Sequence, residues 1–246
     1  MRSRRVFIAM AVLLAAVFGA HAAALASGKV KNRARSVAFK VRIENISSAD
    51  GQTASDGTRW PFALSPGMYV VDEKGVELFK ANAKASTGLE AQAEDGNPAG
   101  LVKTLEEAGH GASLHGVFNT PVGMGEPDPI GPGGAYEFNV TATTGMKLSL
   151  VTMFGQSNDY FYANAKPIAL FGREGDPLSG DVTFAFALYD AGTEADQEHG
   201  VGPDQAPRQK APNTGAAENG RVRPAKRDAF FARTSQLLRV TITPVG

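Results

Sequence analysis

Alternation of apolar and polar positions is the dominant signal along this chain. In residues 38–46, Phe39, Val41 and Ile43 fall on one side and Lys40, Arg42 and Glu44 on the other, the period-two pattern of a strand with one face on a core. Residues 47–60 are polar and glycine-rich and read as a loop. Segments 68–72 and 76–79 flank Glu73-Lys74-Gly75, which predicts a hairpin turning at the glycine. Between Ser86 and Gly109 the spacing becomes helical, through Leu89 and Ala93 and then Leu101, Leu105 and Ala108, with a break at Gly96-Asn97-Pro98. Two short helices are expected, the second starting at or near Pro98, where a missing N–H costs least. Glycine and proline crowd residues 111–134, a long loop. Strands are expected again at 136–143, 147–154, 168–171 and 182–189, with a hairpin at Thr144-Gly145 joining the first two, and a closing strand at 237–244. Short strands, turn signals and two minor helices together predict an all-β fold, an antiparallel β-sandwich with two short helices inserted.

The first residues follow a different pattern. Arg2, Arg4 and Arg5 precede an apolar run over 6–20, followed by Ala20-His21-Ala22 and Ala24-Leu25-Ala26. A basic head, a short apolar stretch and an Ala-x-Ala exit predict a signal peptide over 1–26 and a secreted or periplasmic mature chain, 27–246, forming one domain. This changes the charge balance. The 25 Lys and Arg equal the 25 Asp and Glu, but removal of the leader takes away three positive charges and no negative ones. The mature chain is therefore acidic, and no nucleic-acid partner is expected. The absence of cysteine excludes disulfide scaffolds and thiolate metal sites, and a 43% hydrophobic content excludes general disorder. No other segment is long and apolar enough to span a bilayer, so no transmembrane helix is expected in the mature chain.

Candidate chemistry narrows to carboxylates. His110, His115 and His199 have no zinc-binding spacing, and there is no nucleophile elbow, phosphate-cradling loop or thiol nucleophile, so no catalytic residue is expected. Asp159 lies just past the 147–154 strand, and Asp190 lies just past the 182–189 strand and is followed by Gly192, Glu194 and Asp196. If those ends are neighbours, three or four carboxylates converge and need a hard cation. Calcium suits them, because it takes six to eight oxygen ligands in flexible geometry. Gly192 would let the loop turn so that Asp190 and Glu194 face the same ion.

These residues also carry a family resemblance. Ser157-Asn158-Asp159-Tyr160-Phe161 resembles the Ser-Pro-Asp-Trp-Phe motif of the spondin N-terminal domain family, and Tyr189-Asp190-Ala191-Gly192-Thr193-Glu194 resembles its Tyr-Asp-Ala-Gly-Thr-Asp motif. Residues 88–96 and 202–209 are similar to segments of its bacterial members. The resemblance implies a sandwich like that of calcium-dependent lipid-binding domains, with Ca2+ bound by Asp159, Asp190 and Glu194. Glu194 departs from the family's aspartate by one methylene, and Asp196 is an alternative ligand. The aromatics Tyr160, Phe161 and Tyr162 have two readings: anchors that dip into a lipid interface or stack on sugar rings, as a lipid or glycan binder would use the tyrosines, or a structural lock, in which alternation turns Phe161 alone inward. The basic run Arg221, Arg223, Lys226, Arg227 and Arg233 could meet an acidic glycan, an anionic lipid or the chain's own acidic edge, or lie solvated before the last strand. The expected function is non-enzymatic adhesion or interaction with an extracellular protein, glycan or lipid surface. Its rivals are a calcium-bridged lipid or glycan binder and a metal-dependent hydrolase of envelope polymers.

Overall fold

The alternation of Phe39, Val41 and Ile43 builds the central strand of the first sheet. The computed structural model describes residues 36–226 and 232–245; the expected signal peptide, residues 1–26, lies outside them, as does Arg227. The strands are β1 (Ser36–Asn45), β2 (Gln52–Thr53), β3 (Arg59–Trp60), β4 (Leu64–Asp72), β5 (Leu114–Phe118), β6 (Ala135–Thr143), β7 (Lys147–Phe154), β8 (Tyr160–Ala163), β9 (Ile168–Ala169), β10 (Gly180–Asp181), β11 (Ala187–Asp190), β12 (Arg223–Pro224) and β13 (Leu238–Val245). The helices are α1 (Thr87–Asp95), α2 (Ala99–Leu105) and α3 (Thr234–Leu237). One sheet runs β10-β13-β1-β6 and the other β12-β11-β8-β7-β4-β5, with β9 also on β7, all antiparallel. The fold is an antiparallel all-β sandwich with short helices.

Two apolar layers hold it. Phe39, Val41 and Ile43 of the first sheet share a core with Leu148, Leu150, Tyr160 and Tyr162 of the second. The opposite face of the second sheet carries Met68, Val70, Val151 and Phe161, and Leu89, Ala93, Leu101 and Leu105 of the helices cover it. Helix α1 starts at Ser86, whose hydroxyl accepts from the Leu89 N–H at 3.2 Å, and ends at Gly96. Helix α2 follows from Pro98, as the break predicts. Gly88 and Gly100 let the two helices touch, since a Cβ on Gly88 would lie 2.4 Å from the Gly100 carbonyl oxygen.

Several local expectations are corrected. Residues 76–79 are not a strand; Val76 and Phe79 turn into the helix-side layer, and β4 pairs instead with β5 and β7. Strand β5 lies within the stretch read as a long loop, and the β2–β3 ribbon lies within the 47–60 loop. Thr144-Gly145 is not a hairpin within one sheet: β6 pairs with β1 and β7 with β4 and β8, so the turn crosses between layers. The 182–189 strand divides into a 3-10 turn, Thr183–Ala185, and β11. Phe161 does face away from Tyr160 and Tyr162, but all three are buried, because the second sheet is covered on both sides.

Gly67 shows how tightly that sheet is filled. A Cβ there would stand 2.1 Å from the Val151 carbonyl oxygen and 2.5 Å from the Phe118 ring, the residue paired across from it. Gly67→Ala is expected to cost about 1–3 kcal/mol by overpacking, read as a lower midpoint in urea unfolding; an unchanged midpoint would mean that β4 and β5 do not pair in this register.

Candidate metal centre

The site is built where two neighbouring strands of the doubly covered sheet end together. The turn after β7 is closed by Ser157, whose hydroxyl donates to the Phe154 carbonyl at 2.7 Å and accepts from the Tyr160 N–H at 3.1 Å. This delivers Asp159 at the first position before β8. Strand β11 runs antiparallel beside β8 with Asp190 opposite Tyr160, and the Ala191 N–H donates to the Asp159 carbonyl at 3.1 Å. The start of one strand and the end of the other therefore coincide, and both carboxylates point from one edge.

The chain then turns at Gly192, whose φ of 69° suits glycine. Its N–H donates to Asp190 Oδ1 at 2.7 Å. The next two backbone N–H groups, of Thr193 and Glu194, donate to Asp159 Oδ2 at 2.7 and 3.2 Å, and the Thr193 hydroxyl lies 3.2 Å from the same oxygen. Asp159 Oδ1 is left buried with no hydrogen-bond partner. A returning segment closes the site: Glu218 N–H donates to the Thr193 carbonyl at 2.8 Å and Gly220 N–H to the Gly192 carbonyl at 2.7 Å. Strand β12 then places Arg223 opposite Asp190.

Asp159, Asp190 and Glu218 each offer a carboxylate oxygen, and these oxygens lie within 4.8 Å of one another. Oxygens about 2.4 Å from one calcium ion are at most about 4.8 Å apart, so the spacing suits a shared ion. The donor set is all oxygen, and Asp159 Oδ1 and Glu218 Oε2 are buried without partners. These residues could hold a metal ion. Arg223 already touches the set, with Nη2 2.7 Å from Asp190 Oδ2, 2.7 Å from Glu218 Oε1 and 4.0 Å from Asp196 Oδ2.

The residues singled out in the sequence divide into three places. Asp159 and Asp190 stand together in the triad. Glu194 is buried beside them, its Oε2 accepting from Asn158 Nδ2 at 3.2 Å and its Oε1 without a partner, but its place in the triad is taken by Glu218. Asp196 is 46% exposed at the side chain and faces Arg223. Of the basic run, Arg223 turns onto the chain's own acidic edge. Arg221 is exposed and donates to the Asn82 carbonyl at 2.9 Å.

Sequence reasoning missed Glu218 and Glu94. Glu218 sits in an aperiodic stretch and reaches the site through a chain reversal with no local signature. Glu94, in the last turn of α1, is 2% exposed and stands within reach of the Thr193 side chain, with Oε2 unpartnered. It did leave a trace: Glu94 and Asp95 end a helix with no basic residue in its last turn, where the helix dipole favours cations.

Burial sets the electrostatics. Desolvation first, and then the charge of Asp159, pushes the Asp190 carboxyl up to about 7 against the pull of Arg223. Desolvation likewise raises Glu94 and Glu194 to about 7, with neighbouring carboxylates adding to each, and it raises Asp159 despite three donors. Comparison with protein-family models and with curated proteins gives no match.

The raised carboxyls fix a sign. Between their ordinary values and about 7 the folded chain binds more protons than the unfolded one, so folding stability falls as pH rises through that window. Carboxylates held low, such as Glu44 by the Arg239 guanidinium, act only below it. In chelator, the melting temperature is expected to decline from about pH 5 to about pH 8; a flat or rising profile would show that the buried carboxylates ionise without penalty.

Proposed function

We propose that the chain is a calcium-binding β-sandwich acting without catalysis, as an exported domain for adhesion to or interaction with an extracellular partner. The observation that carries the reading is the Asp159 carboxylate. It is fully buried, with one oxygen capped by backbone N–H groups and the other without a partner, and it stands in the triad with Asp190 and Glu218. A buried acceptor left unsatisfied is costly, and a cation at that point would satisfy it together with its neighbours. The spondin-like motifs agree with this, since they contain Asp159 and Asp190. Export rests on the leader-like residues 1–26.

The rival readings have less support. The cleft beside the centre, lined by Lys84, Glu90, Thr193 and Asn219 among others, encloses about 160 Å3, below the roughly 300 Å3 at which pockets for small-molecule ligands begin. A polymer hydrolase needs an open groove at its metal. A lipid or glycan binder anchored by Tyr160 and Tyr162 loses its anchors, because both rings lie in the core between the sheets. Among the described residues no helix is long and apolar enough to cross a membrane.

Calcium at a large excess over its dissociation constant is expected to raise the melting temperature of the metal-stripped protein by about 5 °C or more. Asp159→Asn and Asp190→Ala are expected to abolish the rise while leaving a folded sandwich by circular dichroism. Identical melting in calcium and in chelator would remove the reading.

A further inference from the structure

Arg223 occupies the acidic centre in an incomplete way. An arginine seated as a permanent ion-pair partner commonly presents two nitrogens in a fork to a carboxylate. Here Nη2 alone bridges Asp190 Oδ2 and Glu218 Oε1, each at 2.7 Å. Arg223 Nε is buried and has no hydrogen-bond partner, and neither do Glu218 Oε2 and Asp159 Oδ1. The charges are unbalanced as well. Arg223 pairs with Asp190 and Glu218 and reaches Asp196 at 4.0 Å, and Asp159 stands beside them in the triad, so the carboxylates outnumber the guanidinium.

The backbone at Arg223 is held independently of its side chain. Tyr189 and Asp190 pair with Pro224 and Arg223. The Val222 N–H donates to the Ala83 carbonyl at 2.9 Å and the Ala225 N–H to the Leu188 carbonyl at 3.0 Å, and the Val222 side chain is fully buried. The strand is pinned on both sides of the arginine, so the guanidinium can swing away on its stem while β12 stays in place. Its side chain is 30% exposed, which leaves a route to solvent.

We propose that Arg223 is a tethered counter-ion: it holds Asp190 and Glu218 together in the ion-free protein and competes with calcium for their oxygens, so that it sets the affinity of the centre. This rests on the reading of the centre as a calcium site. Incoming Ca2+ takes the carboxylate oxygens that Nη2 holds, and the guanidinium moves to water. An arginine that only braced the fold would help calcium by keeping Glu218 in place, so its loss would weaken binding. A competitor has the opposite sign.

Calcium titration by calorimetry of the metal-stripped wild type, Arg223→Gln and Arg223→Lys tests this. Arg223→Gln is expected to bind Ca2+ about tenfold or more tightly, since a close like charge is removed, while Arg223→Lys, which keeps the charge, stays near the wild type. Equal or weaker binding by Arg223→Gln overturns the proposal but leaves the calcium site standing. Binding by Arg223→Gln alone, with none by the wild type, supports the competitor and removes the calcium reading for the natural chain; no binding by any of the three removes both. Nitrogen-15 spectra of the wild type give a readout that needs no variant. The Arg223 Nε–H signal is expected to move to that of a solvated guanidinium as Ca2+ is added, and an unmoved signal during saturable calcium binding overturns the proposal.

Discussion

The antiparallel pairing of β8 with β11 places two buried carboxylates at one end of a sheet that is packed on both faces, and much of the local structure answers that repulsion. Water screens the field less there than at the surface, because the helices cover one face and the first sheet the other. Asp159 responds by drawing in backbone N–H groups of Thr193 and Glu194. Asp190 draws in Gly192 and Arg223. The turn at Gly192 is required by both, since it points three successive N–H groups toward the acidic edge.

The same constraint explains the long excursion between β11 and β12. Its first residues cap Asp159, and its last residues return through Glu218 and Gly220 to pair with the capping turn. Between these it is tied to the scaffold by Asp95, whose Oδ1 accepts from Gln209 Nε2 at 2.8 Å and from the Asn213 N–H at 3.2 Å. Helix α1 thus supplies two adjacent acidic residues with different roles. Glu94 faces the centre, and Asp95 fastens the excursion. A polar, aperiodic stretch that looks like a solvated linker is in fact the second wall of the site.

The carboxylates raised by burial and the unpartnered oxygens describe one imbalance in two ways. Arg223 answers part of it. The remainder is left on buried carboxylates that could hold a metal ion.

Much of the architecture was legible in the residues themselves. The alternation in β1 and β13 reports which face meets a core, and the break at Gly96-Asn97-Pro98 separates α1 from α2, because these are local consequences of side-chain direction and proline geometry. Asp159 and Asp190 were legible as strand-end carboxylates. What local pattern could not contain was partnership. Alternation is the same whether β7 joins β6 or crosses to β4, so the turn at Thr144-Gly145 looked like a hairpin. Tyr160, Phe161 and Tyr162 alternate whether one face of β8 is covered or both. Glu94, and the stretch that carries both Glu218 and Arg223, come from segments far from Asp159 in the chain, and only the closing of the sheet, the helix packing and the returning strap brought them to the same edge. The sequence by itself determined the long strands β1, β6, β7 and β13, the helices α1 and α2 and the two strand-end aspartates, since each depends on neighbours within a few residues. The tertiary structure decided which carboxylates share a site and which cation already sits among them, since burial and Coulomb energy depend on distance in space.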